Sequence, residues 1–261
     1  MKTATALVVC MAVAVAQAYI PMGPPVARSA GGRVVGGKPA TKGQNPWQIS
    51  LNANSWFGKS HICGGSLRDA NTAITAAHCC DGQTDLYVLW GGLDRTKLAN
   101  ERKVSKILGH PQYNGNTIDY DYCLLKLASP AAESDGVQFA TLASTSPADG
   151  ANALLTGWGK TSGSSSALPT ALQAANFAIV SQANCHSLWS DVNTVTPRMI
   201  CAAHQSASGC NGDSGGPLSV GNELVGIVSW GSNGCPADTT KRPTVYADVA
   251  NQRTWLSQTV A

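Results

Sequence analysis

Ser214 lies in a glycine-rich stretch, residues 209–217, with glycine at positions 209, 212, 215 and 216. Glycine allows tight and left-handed turns, so such a stretch can expose a hydroxyl and bring backbone N–H groups close to a bound molecule. A serine hydroxyl is a weak nucleophile until an adjacent base takes its proton. The stretch therefore predicts nucleophilic catalysis at Ser214, provided that the fold supplies a histidine and a carboxylate that orients it.

The order of residues along the chain limits which architecture can use Ser214. The segment around it fits the Gly-x-Ser-x-Gly elbow of α/β-hydrolases, in which histidine follows the serine. That order is excluded, and with it a carboxylic-ester hydrolase of this fold, because every histidine precedes Ser214. The histidines are His61, His78, His110, His186 and His204. The order histidine, aspartate, serine remains possible, with His78 in Thr-Ala-Ala-His-Cys and Asp121 three residues before Leu-Leu-Lys-Leu.

Further motifs accompany these three in a fixed order. They are Val34-Val35-Gly36-Gly37, Pro46-Trp47-Gln48, Cys63-Gly64-Gly65-Ser66-Leu67, Gly157-Trp158-Gly159 and Val228-Ser229-Trp230-Gly231. With them, the chain from residue 34 to its C-terminus resembles the trypsin/chymotrypsin family of serine proteases. The resemblance implies a secreted serine endopeptidase that is made as a zymogen and uses no cofactor.

The resemblance also implies a role for each residue of the set, following the established mechanism of this family. Ser214 attacks the scissile carbonyl, His78 transfers the proton, and Asp121 orients His78. Backbone N–H groups of Gly212 and Ser214 form the oxyanion hole. Asp119 is the rival carboxylate, but only Asp121 has the right offset to Leu-Leu-Lys-Leu. The other four histidines are interpreted as structural.

The first 33 residues are interpreted as a leader. Residues 1–18 combine Lys2, an apolar run and a small-residue cleavage site, which is typical of a secretory signal peptide. Residues 19–33 are rich in proline and glycine, and the resemblance makes them an activation propeptide. A trypsin-like protease would cut between Arg33 and Val34, and the new α-amino group of Val34 would then pair with Asp213.

Charge and length limit the classes of partner. The only charged residues of the leader are Lys2, Arg28 and Arg33, so residues 34–261 contain 15 basic and 15 acidic residues. A neutral chain argues against nucleic-acid binding through a broad basic surface, and no other apolar run approaches the ~18 residues that a membrane span needs. We expect a secreted monomer whose partners are peptide or protein substrates, the activating protease and protein protease inhibitors.

Short apolar runs separated by glycine and proline predict an all-β protein. The clearest are residues 48–51, 86–90, 124–127 and 224–230, and only residues 249–260 have a helical pattern. The resemblance implies a protease domain over residues 34–261. It consists of two six-stranded antiparallel Greek-key barrels, about 34–140 and 141–245, followed by a C-terminal helix. His78 and Asp121 would come from the first barrel and Ser214 from the second, so the site would lie between them.

Eight cysteines remain once Cys10 leaves with the signal peptide, and secretion favours disulfides. The resemblance pairs six of them: Cys63–Cys79, Cys185–Cys201 and Cys210–Cys235. Cys80 and Cys123 each lie two residues after a proposed triad member. If His78 and Asp121 touch, these cysteines are close too, so we hypothesise a fourth bridge. The alternative is two free buried thiols.

The substrate pocket is expected at positions that the resemblance implies: Ser208, Ser229, Trp230, Gly231 and Thr244. Trypsin-like members carry aspartate at the position of Ser208, so the charge that binds lysine or arginine is missing. Ser208 and Gly231 favour chymotrypsin-like cleavage after large apolar residues. Thr244 favours elastase-like cleavage after smaller ones.

Residues 236–242 form a longer segment than in chymotrypsin, and three charged side chains on it are candidates for reaching the pocket rim: Asp238, Lys241 and Arg242. Leu93 occupies a position where calcium-binding members carry an acidic ligand, so we expect no metal site. The alternative function from another class is a catalytically silent binding relative. Such relatives usually lose a triad residue, whereas His78, Asp121 and Ser214 are all present.

Overall fold

The computed structural model describes residues 34–56, 58–132 and 137–260. The predicted signal peptide and propeptide, residues 1–33, lie outside the described residues. Within these ranges the chain forms mainly β-strands with three short α-helices, which confirms the all-β prediction. None of these helices is long and apolar enough to cross a membrane.

Six antiparallel strands close the first barrel in the order β2-β3-β4-β7-β6-β5. A short strand β1 (Lys38–Pro39) comes before them, the helix α1 (Ala77–Cys80) follows β4, and a 3-10 helix (Arg95–Lys97) follows β5. The barrel strands are β2 (Gln48–Ser55), β3 (Gly58–Asp69), β4 (Thr72–Thr75), β5 (Leu86–Trp90), β6 (Asn100–Gly109) and β7 (Cys123–Leu127).

The second barrel closes in the order β9-β10-β11-β14-β13-β12, because β12 also pairs with β9. Its strands are β9 (Asn152–Gly157), β10 (Gln173–Val180), β11 (Met199–Ala203), β12 (Pro217–Val220), β13 (Glu223–Trp230) and β14 (Thr244–Asp248). The short β8 (Thr141–Leu142) pairs in parallel with β13, and β1 extends the sheet at β10. The strand order is the same in both barrels, three strands in sequence and then three in reverse, and the two closed six-stranded antiparallel barrels confirm the predicted fold class.

Each barrel has an apolar core. Leu51, Leu67 and Leu124 are fully buried in the first core, whereas Leu155 and Leu218 are fully buried in the second. Full burial of one such side chain contributes roughly 1.5–3 kcal/mol. The first core also takes in side chains of the second barrel and of the C-terminal segment. The two barrels therefore pack against each other through apolar side chains as well as through the site between them.

The predicted helix over residues 249–260 is too long, because α3 covers only Arg253–Leu256. Asp248 Oδ1 accepts hydrogen bonds from the N–H groups of Ala250 and Asn251, and such local side-chain bonds compete with a helix. At the other end, the guanidinium of Arg68 binds the carbonyl oxygens of Leu256 and Gln258. Side-chain hydrogen bonds thus occupy both flanks of the single remaining helical turn.

A helix that the sequence pattern did not reveal, α2, covers Gln182–Trp189. Only Cys185 and Trp189 are buried on it, so its apolar periodicity is weak. Its start is fixed by Ser181, whose hydroxyl accepts a hydrogen bond from the N–H of Asn184 at 3.4 Å.

Candidate active site

His78 and Asp121 are in direct contact. Asp121 Oδ2 lies 2.8 Å from His78 Nδ1, and Asp121 Oδ1 accepts a hydrogen bond from the backbone N–H of His78 at 2.9 Å. The carboxylate is 1% exposed and the imidazole 28% exposed. Because a carboxylate only accepts, the proton of the neutral ring is on Nδ1, and the other nitrogen, Nε2, remains free to act as a base.

Strand pairing and a disulfide bring these two side chains together. Thr75 at the end of β4 pairs with Cys123 at the start of β7, so the segments that carry His78 and Asp121 are neighbours. Cys80 and Cys123 are bonded, as hypothesised, and both are buried. The described residues contain four disulfides, and the other three are Cys63–Cys79, Cys185–Cys201 and Cys210–Cys235.

The pKa of His78 reflects two opposing causes. Burial lowers it, but the hydrogen bond and the negative charge of Asp121 together outweigh burial, so the pKa lies above its ordinary value of 6.5. The contact with Asp121 thus stabilises the protonated ring that forms when a base accepts a proton.

A third side chain completes the contacts of Asp121. Ser229, expected only as a pocket residue, donates its hydroxyl to Asp121 Oδ2 at 2.6 Å. Asp119, the rival carboxylate, instead pairs with Arg198 at 2.6 Å. The described contacts of His78 with a carboxylate are therefore those with Asp121.

The loop of Ser214 rests on the segment that leads to His78. Gly212 and Gly215 have φ angles of +99° and +75°, which favour glycine. A Cβ at Gly215 would lie 2.0 Å from Thr75 Oγ1. The carbonyl of Ser214 accepts a hydrogen bond from the N–H of Gly64 at 2.8 Å. The nucleophile loop of the second barrel thus packs directly on the first barrel.

His61 has a place in the site that its sequence context did not indicate. Burial lowers its pKa to about 4, so the ring is neutral at pH 7. Its Nε2 lies 2.9 Å from the carbonyl of Gly212 and its Nδ1 2.7 Å from the hydroxyl of Ser50. Because a carbonyl only accepts, Nε2 carries the proton and Nδ1 accepts from Ser50. His61 therefore fixes the carbonyl of Gly212, a residue expected to form the oxyanion hole.

Asp213 is fully buried beside Ser214. Its two oxygens accept hydrogen bonds from the N–H groups of Gly159 at 2.8 Å and Cys210 at 2.9 Å. A Cβ at Gly159 would lie 2.3 Å from the carboxylate, so glycine is needed there for space. Burial raises the pKa of Asp213 to about 6, because the two N–H groups offset desolvation only in part. A nearby cation would stabilise the ionised form.

Three comparisons bear on this arrangement. The family model described as Trypsin matches residues 34–256. Trypsin alpha of Drosophila melanogaster is 42% identical over 231 residues, which cover 87% of this chain and 88% of that protein. Trypsin of Sus scrofa is 36% identical over 233 residues, which cover 88% of this chain and 96% of that protein. The chain belongs to the trypsin family of serine proteases. It is a serine endopeptidase, and thus a hydrolase.

The residues expected to form the pocket of this trypsin-family protease lie in and around the second barrel. Ser208 is 2% exposed, and its Oγ has no hydrogen-bond partner in the described part of the chain. A Cβ built on Gly231 would lie 4.0 Å from Thr244 Cγ2, and one built on Gly209 would lie 3.8 Å from the same methyl. The Thr244 methyl therefore faces two glycines whose missing side chains leave space. The ring of Trp230 packs edge-on against that of Trp189, with the ring centres 4.9 Å apart.

Two charged residues of segment 236–242, Asp238 and Arg242, bind partners outside the expected pocket. Asp238 is on the surface and accepts hydrogen bonds from the N–H and the hydroxyl of Thr240. The guanidinium of Arg242 binds both oxygens of Asp191 at 2.8 Å and lies 5.2 Å from the ring centre of Trp189. Arg242 is thus directed to the end of α2.

The described ranges contain one group with metal-ligand types in reach of one another, namely Cys63, His78 and Cys79. The two cysteines are bonded to each other, so their sulfurs are not thiolates and cannot ligate a metal in the usual way.

Proposed function

We propose that this trypsin-family protease is secreted, is made as a zymogen, and cleaves peptide bonds after large apolar residues. The observation that carries the catalytic part is the 2.8 Å contact between His78 Nδ1 and Asp121 Oδ2. Because Asp121 takes up Nδ1, Nε2 of His78 remains the nitrogen that can act as the base.

The proposed reaction has two halves. Ser214 Oγ attacks the scissile carbonyl while His78 Nε2 takes its proton, and His78 then gives that proton to the leaving amine. Water, activated by His78, hydrolyses the acyl-enzyme. The N–H groups of Gly212 and Ser214 hold the oxyanion, and one such donor contributes roughly 3–4 kcal/mol in the transition state. The contact of His61 with the Gly212 carbonyl supports this role because it restrains that residue.

The zymogen proposal rests on Asp213 and Val34. Cleavage after Arg33 by a trypsin-like protease would free the α-amino group of Val34, and this cation would pair with Asp213. Val34 is fully buried within the second core, and its neighbour Val35 forms a β-bridge with Ser208. A buried carboxylate without a cation is costly, so its pairing would favour one conformation of the pocket and oxyanion hole. The described conformation is the one we assign to the active enzyme.

The preference for apolar residues rests on Ser208, Gly231 and Thr244. A buried neutral hydroxyl at the pocket base offers no charge to lysine or arginine. Gly231 leaves room for a ring. The Thr244 methyl supports a second candidate, an elastase-like preference for small aliphatic residues, because it lies within 4.0 Å of the position that a Cβ on Gly209 or Gly231 would take.

Secretion rests on the pattern of residues 1–18, and the partners follow from the proposed activity. They are extracellular proteins or peptides, the activating protease and protease inhibitors, and the active form acts as a monomer. A catalytically silent binding relative is the outcome that the experiment below must exclude.

A peptide panel tests the proposal. The purified precursor is cleaved with trypsin, the trypsin is quenched selectively, and peptides that differ only at the residue before the cut are assayed. Ser214→Ala is the matched control for residual trypsin. We expect cleavage after Phe, Tyr or Leu that the control lacks. Cleavage after Ala or Val would support the elastase-like candidate, and cleavage after Arg or Lys would overturn the assignment of the pocket. No cleavage by a chain that begins at Val34 would favour the silent relative.

A further inference from the structure

The residue before Asp121 has a left-handed backbone. Tyr120 has a φ of +55°, a conformation that bulky residues rarely adopt because Cβ then crowds the backbone. The N–H of Tyr122 donates to the carbonyl of Tyr120 at 2.8 Å, so the chain turns tightly around Asp121. The direction of the Asp121 carboxylate therefore depends on a conformation that Tyr120 does not favour by itself.

Two side chains hold the ring of Tyr120. The guanidinium carbon of Arg198 lies 4.9 Å from its centre, and the ring of His110 stacks on it with centres 4.7 Å apart and planes 20° from parallel. His110 is itself packed against Trp255 at 4.6 Å. A bulky aromatic ring held in this way restrains the backbone to which it is attached.

The residue on the other side of Tyr120 is anchored to the second barrel. Asp119 Oδ2 accepts a hydrogen bond from Arg198 Nη2 at 2.6 Å, and Asp119 Oδ1 accepts from Arg198 Nε at 3.2 Å and from Thr196 Oγ1 at 2.8 Å. The same Oδ1 accepts from the N–H of Tyr120 at 2.9 Å. Burial by itself would raise the pKa of Asp119. These hydrogen bonds and the charge of Arg198 outweigh burial, so the pKa lies below its ordinary value and the carboxylate is ionised at neutral pH.

The second barrel thus reaches the turn that carries Asp121. The carbonyl of Arg198 also accepts a hydrogen bond from the hydroxyl of Tyr122 at 2.9 Å. Arg198 contacts residues on both sides of Asp121 and the carboxylate of Asp119. It precedes β11 by one residue, so its backbone is held by the sheet of the second barrel.

We propose that Asp119 and Arg198 are positioning residues for the reaction: their ion pair holds Tyr120 in its left-handed conformation and so directs the Asp121 carboxylate at His78. The inference rests on the proposed roles of His78 and Asp121. It adds a dependence of the first barrel's catalytic pair on a side chain of the second barrel.

Loss of the ion pair has two expected consequences. A displaced Asp121 orients His78 less well, and misplacement by about 1 Å can cost 10²-fold in rate, so kcat falls about ten- to a hundredfold. A weaker contact also stabilises protonated His78 less, so the acid limb of the kcat/KM profile moves to lower pH. The titratable groups that interact electrostatically with Asp121 are His78, Tyr113 and Tyr122. Beyond them, Asp81 acts on Tyr113, and Asp119, Arg198 and Asp248 act on Tyr122.

Asp119→Asn and Arg198→Ala separate positioning from charge, because they change the net charge in opposite directions. A through-space effect alone would lower the pKa of His78 in the first variant and raise it in the second. The proposal requires the limb to move to lower pH in both. It also requires the double variant to be no worse than the more impaired single variant, because the two residues act as a unit. Arg198→Lys, which keeps the charge without the planar fork, is expected to be intermediate.

Asp85→Asn is the matched control. Asp85 is a carboxylate of the same barrel that pairs with Lys103 at 3.1 Å, so its loss changes the charge equally. We expect unchanged kcat and an unchanged limb. All rates are divided by the concentration of sites that a serine-directed covalent inhibitor titrates, so a variant that only folds less well keeps its kcat. If Arg198→Ala fails to fold, Arg198→Lys carries the test, because it keeps the charge and a through-space effect alone would leave the acid limb unchanged.

The inference is overturned if the limbs of the two single variants move in opposite directions, or if kcat per titrated site stays within twofold of the parent. Asp121→Asn distinguishes this failure from that of the proposed function. If Asp121→Asn loses most of its kcat per titrated site while Asp119→Asn keeps the kcat of the parent, the positioning role is rejected and the catalytic role of Asp121 stands. Full activity in Asp121→Asn rejects the catalytic assignment on which it rests.

Discussion

The two barrels share a strand order but hold their parts of the candidate site in different ways. In the first, the pairing of β4 with β7 and the Cys80–Cys123 disulfide tie together the segments that carry His78 and Asp121. In the second, Ser214 lies on a loop with left-handed glycines, wrapped around the buried carboxylate of Asp213. Strand pairing and a disulfide thus hold the segments of the first part, whereas the second part is a turn in which a backbone N–H donates to the carboxylate of Asp213.

This difference suggests how one protein can contain both a stable scaffold and a switch. Strand pairing forms whenever the barrel folds, so the segments that carry His78 and Asp121 are neighbours before any cleavage. The loop of Ser214 surrounds a carboxylate whose pKa is raised by burial to about 6, and a cation would stabilise its ionised form. The proposed cleavage before Val34 would supply that cation. Activation would then act on the second barrel's part of the site and leave the first unchanged.

The most severe test of the first part is Asp121→Asn. We expect kcat to fall by about 10⁴-fold, the size of effect already established for the triad aspartate of this family. An amide in place of the carboxylate stabilises the wrong protonation of the His78 ring. Steady-state kinetics with titrated sites measures this, with Asp85→Asn as the control. A loss of less than tenfold would mean that His78 does not depend on this contact.

Asp213→Asn tests the second part. If Asp213 pairs with Val34 as proposed, loss of one partner of this buried ion pair costs about 3–5 kcal/mol, so we expect kcat/KM of the cleaved protein to fall by about 10²- to 10⁴-fold. The contact between His78 and Asp121 should persist, and the NMR signal of the His78 Nδ1 proton reports on it. Loss of that signal together with the activity would show that the two parts are not held independently.

The pH profile tests the electrostatics of the first part. Since the pKa of His78 is raised, the ring stays protonated up to a higher pH than a free histidine, and a protonated ring cannot act as a base. Activity is therefore lost as pH falls through a midpoint above 6.5, by about tenfold in kcat/KM per pH unit below it. Stopped assays from pH 5 to 9 measure the midpoint. A flat profile from pH 5 to 8 would rule out His78 as the base.

The Cys80–Cys123 disulfide can be compared with Cys185–Cys201 in the second barrel. Replacing both cysteines of either pair by alanine is expected to lower the free energy of unfolding by about 2–4 kcal/mol. Only the first pair flanks His78 and Asp121, so only its loss should also lower kcat, by several-fold. Chemical denaturation and kinetics on the two double variants measure this. Equal kinetic effects would remove the special role of the first disulfide.

The sequence predicts best what short motifs encode. The neighbourhood of Ser214, the meeting of His78 with Asp121 and the two barrels follow from local residue patterns and their resemblance to a family. Even the Cys80–Cys123 bridge follows from an offset: each cysteine lies two residues beyond one partner of a pair expected to touch. These motifs allow a correct prediction because the chemistry of their residues requires one arrangement of the backbone.

Contacts between distant segments could not be predicted in this way. Arg198 and Asp119 are 79 residues apart, and neither stands in a motif that points to the other. His61 resembles any buried histidine until the fold places it beside Gly212. The predicted length of the helix over 249–260 was wrong for a similar reason. The helix is limited by hydrogen bonds that Asp248 and Arg68 make, and these bonds depend on the tertiary structure.

The last expected effect concerns the pocket and changes selectivity rather than activity, because the choice between the two candidate preferences depends on one methyl group. Thr244→Gly removes the methyl that faces Gly209 and Gly231, and a change of one or two carbons in a pocket is worth about 10- to 200-fold in discrimination. We expect kcat/KM for Tyr relative to that for Ala before the cut to rise about tenfold. Thr244→Ser, which also lacks the methyl but keeps the hydroxyl, should behave similarly, so equal ratios in Thr244→Ser and the parent would show that the methyl does not limit the pocket. Because Thr244 lies on β14 and not on the loop of Ser214, its replacement should leave the acid limb unchanged.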